Sequence, residues 1–284
     1  MKILAATDLS TRSHRAIRRA GLLAQANDAE LTLVHVVDED QPAELVKIET
    51  REVGRILDEQ INIVPELRGL RCRRTVITGD PFAGILSTAE STKADLIVMG
   101  AHRKQLLRDI FVGTTIERVI RIGPFPVLMV NDEVKWSYRT ALAAVDLSEP
   151  SAHAIRTARK LRLVDDAHFM IVHAFTPPGQ GMMSYAGMTR ESIDEYVTSA
   201  RQRATNELAA FLEANEFGDH GWSRQVEEGR PSTVISRIVE ARKPDLLVIG
   251  THGRSGIARA LLGSVTEEAL RSLDLDILAV PPMR

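Results

Sequence analysis

"PDLLVIGTHGRSGIARALLGS", residues 244–264, opens as a buried strand and closes as the start of a helix. Its run 246–249 is apolar without alternation, the pattern of a strand covered on both faces. Gly250 and Gly253 follow the run, and Gly263 with Ser264 ends the loop in front of a helical stretch. A second stretch, "ADLIVMGAHRKQLLRDIFVGT" (94–114), repeats this frame with Gly100, Gly113 and Thr114 in matching places. Arg103 stands there where Gly253 stands in the other copy, with Lys104 beside it.

Outward from this frame the whole chain reads twice. "LAATDLS" (4–10) returns as "LAAVDLS" (142–148), and "DAELTLVHVV" (28–37) as "DAHFMIVHAF" (166–175). "FPVLMV" (125–130) returns as "LDILAV" (275–280). The offset between copies steps from 138 to 150 after the second strand, so the second copy carries an insertion there. The segment "TPPGQGMMSYAGMT" (176–189), rich in Gly, Pro and Met, is its expected place, as a surface loop or as a lid closing over a ligand. "NDEVKWSYR" (131–139) reads as the linker, which divides the chain into domains 1–134 and 135–284.

Within the first copy, apolar runs at 2–7, 30–36, 73–78, 95–99 and 126–130 read as strands. Helical stretches at 12–26, 43–64, 82–93 and 114–122 lie between them. Pro81 and Pro231 sit where the first helical position tolerates proline. "TTIE" (114–117) and "SVTE" (264–267) fit the capping box, which predicts Thr114 and Ser264 as N-caps. Strands alternating with helices in this way predict an α/β fold of two tandem doubly wound five-stranded parallel-sheet domains. The expected strand order in each is 3-2-1-4-5.

Such sheets bind ligands beyond the carboxyl ends of their strands, where the winding reverses. With this order the reversal falls between strands one and four, beside Asp146 and Gly250, or Asp8 and Gly100 in the first copy. The frame thus runs from the crevice to a helix N-terminus, where backbone N–H groups and the dipole favour an anion. Glycines let backbone close around a phosphate, and a carboxylate at Asp146 suits ribose hydroxyls, an adenine edge or a cation. Glycine at 253 is expected to permit a positive φ that Arg103 disfavours.

The chain resembles the tandem universal stress proteins over nearly its whole length. Their mark is Gly-x2-Gly-x9-Gly-Ser/Thr after the fourth strand with an Asp ending the first, and Gly250, Gly253, Gly263, Ser264 and Asp146 match it. The resemblance implies ATP as ligand, with magnesium as its counter-ion, held in the second domain by Ala144, Asp146, Ala174, Ile249, Gly250, Gly253, Gly263, Ser264 and Val265. Arg254 is a further phosphate contact or an exposed loop arginine. Asp8, Gly100, Gly113 and Thr114 form the corresponding vestigial site, put in doubt by Arg103. The resemblance also implies that the fifth strands, with Val127–Val130 and Ile277–Val280 at apolar edges, pair within one chain as a built-in dimer, a homodimer of chains being a further level.

The remaining composition narrows the classes. A net charge of −2 argues against nucleic acid as the main partner, and no stretch approaches the length of a membrane span. One cysteine, Cys72, fits a reducing compartment, so a cytoplasmic location is expected. The eight histidines show no metal-ligand spacing, and no metal site is expected. His35 and His173 read as hydrogen-bonded sheet-end residues, and the arginines of "RSHRAIRR" (12–19) as a solvated face. No GxxxxGK[ST], GxGxxG or nucleophile elbow is present, so hydrolysis, if any, is slow and incidental to binding. The sequence supports an ATP-binding stress-response protein first. A nucleotide-free scaffold and a slow ATPase are the alternatives.

Overall fold

Among the described residues ten strands, apolar at the centre and charged at the two edges, hydrogen-bond into one continuous sheet. The computed structural model describes residues 1–101, 113–179, 182, 186–218, 220–253 and 262–283. In the first half these form β1 (Lys2–Ala6), α1 (Thr11–Asn27), β2 (Glu30–Val37), α2 (Ala43–Ile63), β3 (Cys72–Thr78), α3 (Pro81–Thr92), β4 (Leu96–Gly100), α4 (Thr115–Ile122) and β5 (Val127–Val130). The second half repeats the order with β6 (Thr140–Val145), α5 (Glu149–Lys160), β7 (His168–Phe175), α6 (Arg190–Ala214), β8 (Ser223–Glu228), α7 (Pro231–Arg242), β9 (Leu246–Gly250), α8 (Ser264–Ser272) and β10 (Asp276–Val280).

The sheet order is β3-β2-β1-β4-β5-β10-β9-β6-β7-β8. Each half is parallel and has the 3-2-1-4-5 order. The halves meet through β5 and β10, which pair antiparallel with Ile277 opposite Met129 and Leu278 opposite Leu128. Side chains alternate across a strand, so the central strands fill two cores at once. One core packs α1, α2, α5 and α6 on one face, and the other packs α3, α4, α7 and α8 on the opposite face. Both cores contain residues of both halves.

Local signals explain most boundaries. Pro81 and Pro231 start α3 and α7, and Asp80 caps α3 by accepting the Ala83 N–H at 2.9 Å. Ser10 caps α1 and Thr189 caps α6 in the same manner. The second copy spends residues 176–189 between β7 and α6, where the first copy uses only 38–42. Met182 and Met188 there are exposed, and no described residue of the segment lines the second-half cleft. Met183 lies outside the described residues.

The arginines of α1 are not a solvated face. Arg18 binds Glu66 at 2.6 Å, Arg15 donates to the Asn131 carbonyl at 2.9 Å, and Arg19 is buried. Arg19 donates from Nε to Asp276 Oδ2 at 3.2 Å and from a terminal nitrogen to the Trp136 carbonyl at 2.8 Å, and stacks over the Tyr138 ring. Asp276, fully buried at the start of β10, also accepts the Tyr138 hydroxyl at 2.7 Å and the Asn131 and Asp132 N–H groups at 2.8 and 3.0 Å. This carboxylate therefore fastens the linker and α1 of the first half to the second. The repeat puts Pro126 and Thr157 in the corresponding places, so the fastening exists once per chain.

Candidate functional site

The second-half cleft, about 370 Å³, opens between the ends of β6 and β9. Ala144 comes from β6, Val172 and Ala174 from β7, and Ile249 from β9. Pro231 and Ile235 of α7 close one side with apolar surface. Asp146 and Ser151 stand on one wall, with Gly250, His252, Gly253, Gly263, Ser264 and Val265 on the other. Every sequence-predicted residue of this site lines the cleft except Arg254, which lies outside the described residues.

Asp146 is held in place by two serines just downstream of it. Its Oδ1 accepts the Ser148 N–H at 3.1 Å, the Ser148 hydroxyl, and the Ser151 hydroxyl at 2.5 Å. Its Oδ2 faces Gly253: a Cβ on that glycine would lie 2.6 Å from it. Gly253 is not in the left-handed region, contrary to the expected positive φ. Glycine is needed there for space, because any side chain would strike the carboxylate.

The two ends of the loop are pinned by backbone and threonine. Thr251 N–H donates to the Val280 carbonyl at 2.8 Å, and Gly263 N–H to the Thr251 carbonyl at 2.8 Å. Thr266 Oγ1 donates to the Gly250 carbonyl at 2.8 Å. This arrangement moves the helix start by one residue from the predicted one. Gly263, with φ −61°, is the N-cap, and Ser264 is the first helical residue. Among the described residues no side-chain hydrogen bond caps α8, and Ser264 is exposed. The first three N–H groups of a helix have no partner inside it, so an uncapped start leaves them to a ligand or to water.

The first-half cleft is larger, about 540 Å³, and the predicted Asp8, Gly100, Gly113 and Thr114 all line it. Its helix start differs. Thr114 caps α4, its hydroxyl accepting the Glu117 N–H at 3.3 Å. The buried Glu117 carboxylate accepts the Gly113 N–H at 3.3 Å and pairs with Arg121 at 3.0 Å. Gly113 adopts φ 87°, which glycine permits without penalty. Burial pushes the Asp8 carboxyl up, but hydrogen bonds from Ser10 and Ser13 outweigh it and hold the group below the ordinary aspartate value. Arg103, Lys104 and His102 lie outside the described residues.

His35 and His173 are hydrogen-bonded as expected, each with Nδ1 on a carbonyl at the end of the neighbouring first strand, Thr7 at 2.8 Å and Val145 at 2.9 Å, but they do not end their strands: β2 and β7 each run two residues further. Several residues that shape the second cleft escaped the sequence reading. Ser151 is signalled by the spacing Asp-x-Ser-x-x-Ser (146–151), whose hydroxyls return to the carboxylate. Thr266 was hidden inside the apparent capping box, and Pro231 and Ile235 were read only as helix residues. His252 did not escape it: its place after Gly250 offers a crevice or a loop-packing role, and it lines the crevice while bonded to Thr251 Oγ1 at 2.9 Å.

A tandem pair of doubly wound domains, each with a crevice at the switch point between its first and fourth strands, is the class this geometry defines. The chain belongs to the universal stress protein family, whose model matches residues 1–131 and again 137–281. It is 28% identical over 207 residues to universal stress protein E of Escherichia coli (strain K12), a match spanning 71% of this chain and 65% of that protein's length. A universal stress protein of Mycolicibacterium smegmatis is 25% identical over 297 residues, covering 99% of this chain and 97% of the relative. Among solved structures, a universal stress protein from Archaeoglobus fulgidus superposes with a TM-score of 0.70 at 17% identity, covering 99% of this chain and 98% of that one. That likeness speaks for the shared fold.

Proposed function

We propose that the second domain binds an adenine nucleotide, ATP with its magnesium, and that the chain works in the cytoplasm as a stress-response protein whose partner contacts follow nucleotide occupancy. The observation that carries this reading is the uncapped start of α8, facing Asp146 across a cleft of suitable size. The N–H groups of Ser264, Val265 and Thr266 suit phosphate oxygens, with the helix dipole adding to the attraction. Asp146, already oriented by Ser148 and Ser151, suits ribose hydroxyls. Ala144, Val172, Ala174 and Ile249 give the base an apolar floor. Gly253 keeps the loop close to Asp146 without a side chain between them.

Among the described residues no group of three acidic, histidine or cysteine side chains is placed to hold a metal. Magnesium in this reading travels on the phosphates, as hard oxygen ligands allow.

The test is nucleotide content and titration. Freshly purified protein is denatured, its supernatant analysed by anion-exchange chromatography, and the stripped chain titrated with ATP. One ATP per chain is expected, and Gly253→Arg is expected to abolish that binding while keeping the fold. Unchanged affinity in G253R overturns the site. Absence of nucleotide from both the supernatant and the titration moves the function to a nucleotide-free scaffold.

A further inference from the structure

The joint between the halves carries a charge that its bonds do not answer. Asp276 takes the Asn131 and Asp132 N–H groups on Oδ1 and the Tyr138 hydroxyl and Arg19 on Oδ2, so the buried Arg19 is already committed to a carboxylate. Asp132 holds its own carboxylate beside this cluster, on the wall of a cavity of about 390 Å³ that Arg19, Glu133, Lys135, Tyr138 and Asp245 also line. Its side chain makes no hydrogen bond or ion pair among the described residues. The neighbouring cations are engaged elsewhere or in water. Arg15 serves Glu133 and the Asn131 carbonyl, Arg139 lies over the Trp136 ring, and Lys135 is exposed.

The opposite strand adds to the conflict. Met129 faces Ile277 across the joint, and Asn131 Nδ2 donates to the Leu275 carbonyl at 2.7 Å, so the same register sets Asp132 opposite Asp274. Like charges directly opposite on antiparallel strands repel. At the other end of the joint this register sets Pro124 opposite Pro282, with no charge on either side. Partial burial and then the Asp276 charge, with Asp245 and Asp274 adding to it, outweigh the pull of Arg19 and hold the Asp132 carboxyl above the ordinary aspartate value. A carboxyl raised in this way costs stability while it is ionised, and the cost disappears as the pH falls through its titration.

We infer that the linker clasp is an acid-tightened joint, in which an ionised Asp132 loosens the hold of Asp276 on residues 131–138 and a neutral Asp132 lets it close. The neutral carboxyl also gains an O–H donor on the side that faces Asp274. The joint bears on the first cleft because α1 belongs to both. Arg15 and Arg19 of that helix hold the linker, while Arg12 and Ser13 in its first turn line the cleft. The inference does not depend on what either cleft binds.

The test compares the full chain with Asp132→Asn, which removes the charge at nearly constant shape, in steps from about pH 7.5 to about pH 4.5. Hydrogen exchange, corrected for intrinsic amide rates, reads the Asn131 N–H, and urea denaturation reads the whole chain. At about pH 7.5 the Asn131 N–H is expected to exchange about threefold more slowly in D132N than in the unsubstituted chain, with a higher urea midpoint. Both differences are expected to close toward the acid end, as the unsubstituted chain gains protection and D132N does not. Glu39→Gln removes an exposed charge beyond β2, three strands away from β5, and is expected to show neither difference. Circular dichroism at each step confirms that the compared chains are folded. No gain in D132N at the higher pH, a gain that persists in acid, or an equal gain in E39Q overturns the inference.

Discussion

Gly253 and Cys72 show how a single position acts through its surroundings. Alanine at 253 would put its Cβ 2.6 Å from Asp146 Oδ2, a distance that forces either the carboxylate or the loop to move. Asp146 is tied to Ser148 and Ser151, so the loop yields first. Gly253→Ala is expected to weaken ATP binding about tenfold, the effect of one displaced charge-assisted contact, with no change in the circular dichroism spectrum. Titration of the stripped protein checks it. Cys72 lies at the start of β3, where burial pushes its thiol up to about 11. Only the thiolate is nucleophilic. Iodoacetamide labelling at pH 8 is therefore expected to be roughly a hundredfold slower in the native chain than in urea, where the thiol returns to the ordinary range. Equal rates would show that Cys72 is not shielded.

Among the elements, the helix starts carry the contrast between the halves. The capping box of "TTIE" (114–117) was legible because Thr114 and Glu117 bond as their spacing predicts, apart from the carboxylate reaching Gly113. "SVTE" (264–267) has the same local chemistry, yet Thr266 is drawn to the Gly250 carbonyl and Gly263 to Thr251, so the helix begins one residue away from the expected cap. Local spacing reads local bonds; it does not read a carbonyl sixteen residues back. Arg19 was illegible for the same reason, since its partner Asp276 stands in the other half of the chain. That pair is buried, and truncating one side leaves the other charge without compensation. Asp276→Ala is expected to destabilise the chain by about 3–5 kcal/mol. Urea denaturation measures the loss, and a change under about 1 kcal/mol would show the cluster to be dispensable.

At the scale of the molecule, strand order and duplication followed from the sequence because apolar runs, glycines and repeats all agree. Both cores cross from one half to the other, and Asp276 binds the linker into the same unit. The chain is therefore expected to unfold as one body. Trp136 in the linker and Trp222 against Phe169 in the second half report on different regions. In urea, fluorescence of the W136F and W222F chains should follow a single transition that coincides with circular dichroism. Separate midpoints would show two independently folding halves. The outer edges are β3 and β8, whose sequences "CRRTVIT" and "SRQVEE" place charges where an unpaired strand would otherwise invite another chain.

The antiparallel joint between β5 and β10 sets the directions in which the molecule can be read. The parallel strands of one half run opposite to those of the other, so their carboxyl ends, and the two clefts beyond them, look toward opposite ends of the sheet. A rigid partner docking over one mouth is turned away from the other. The chain can thus present two separate faces, and two partners can sit on it together without meeting.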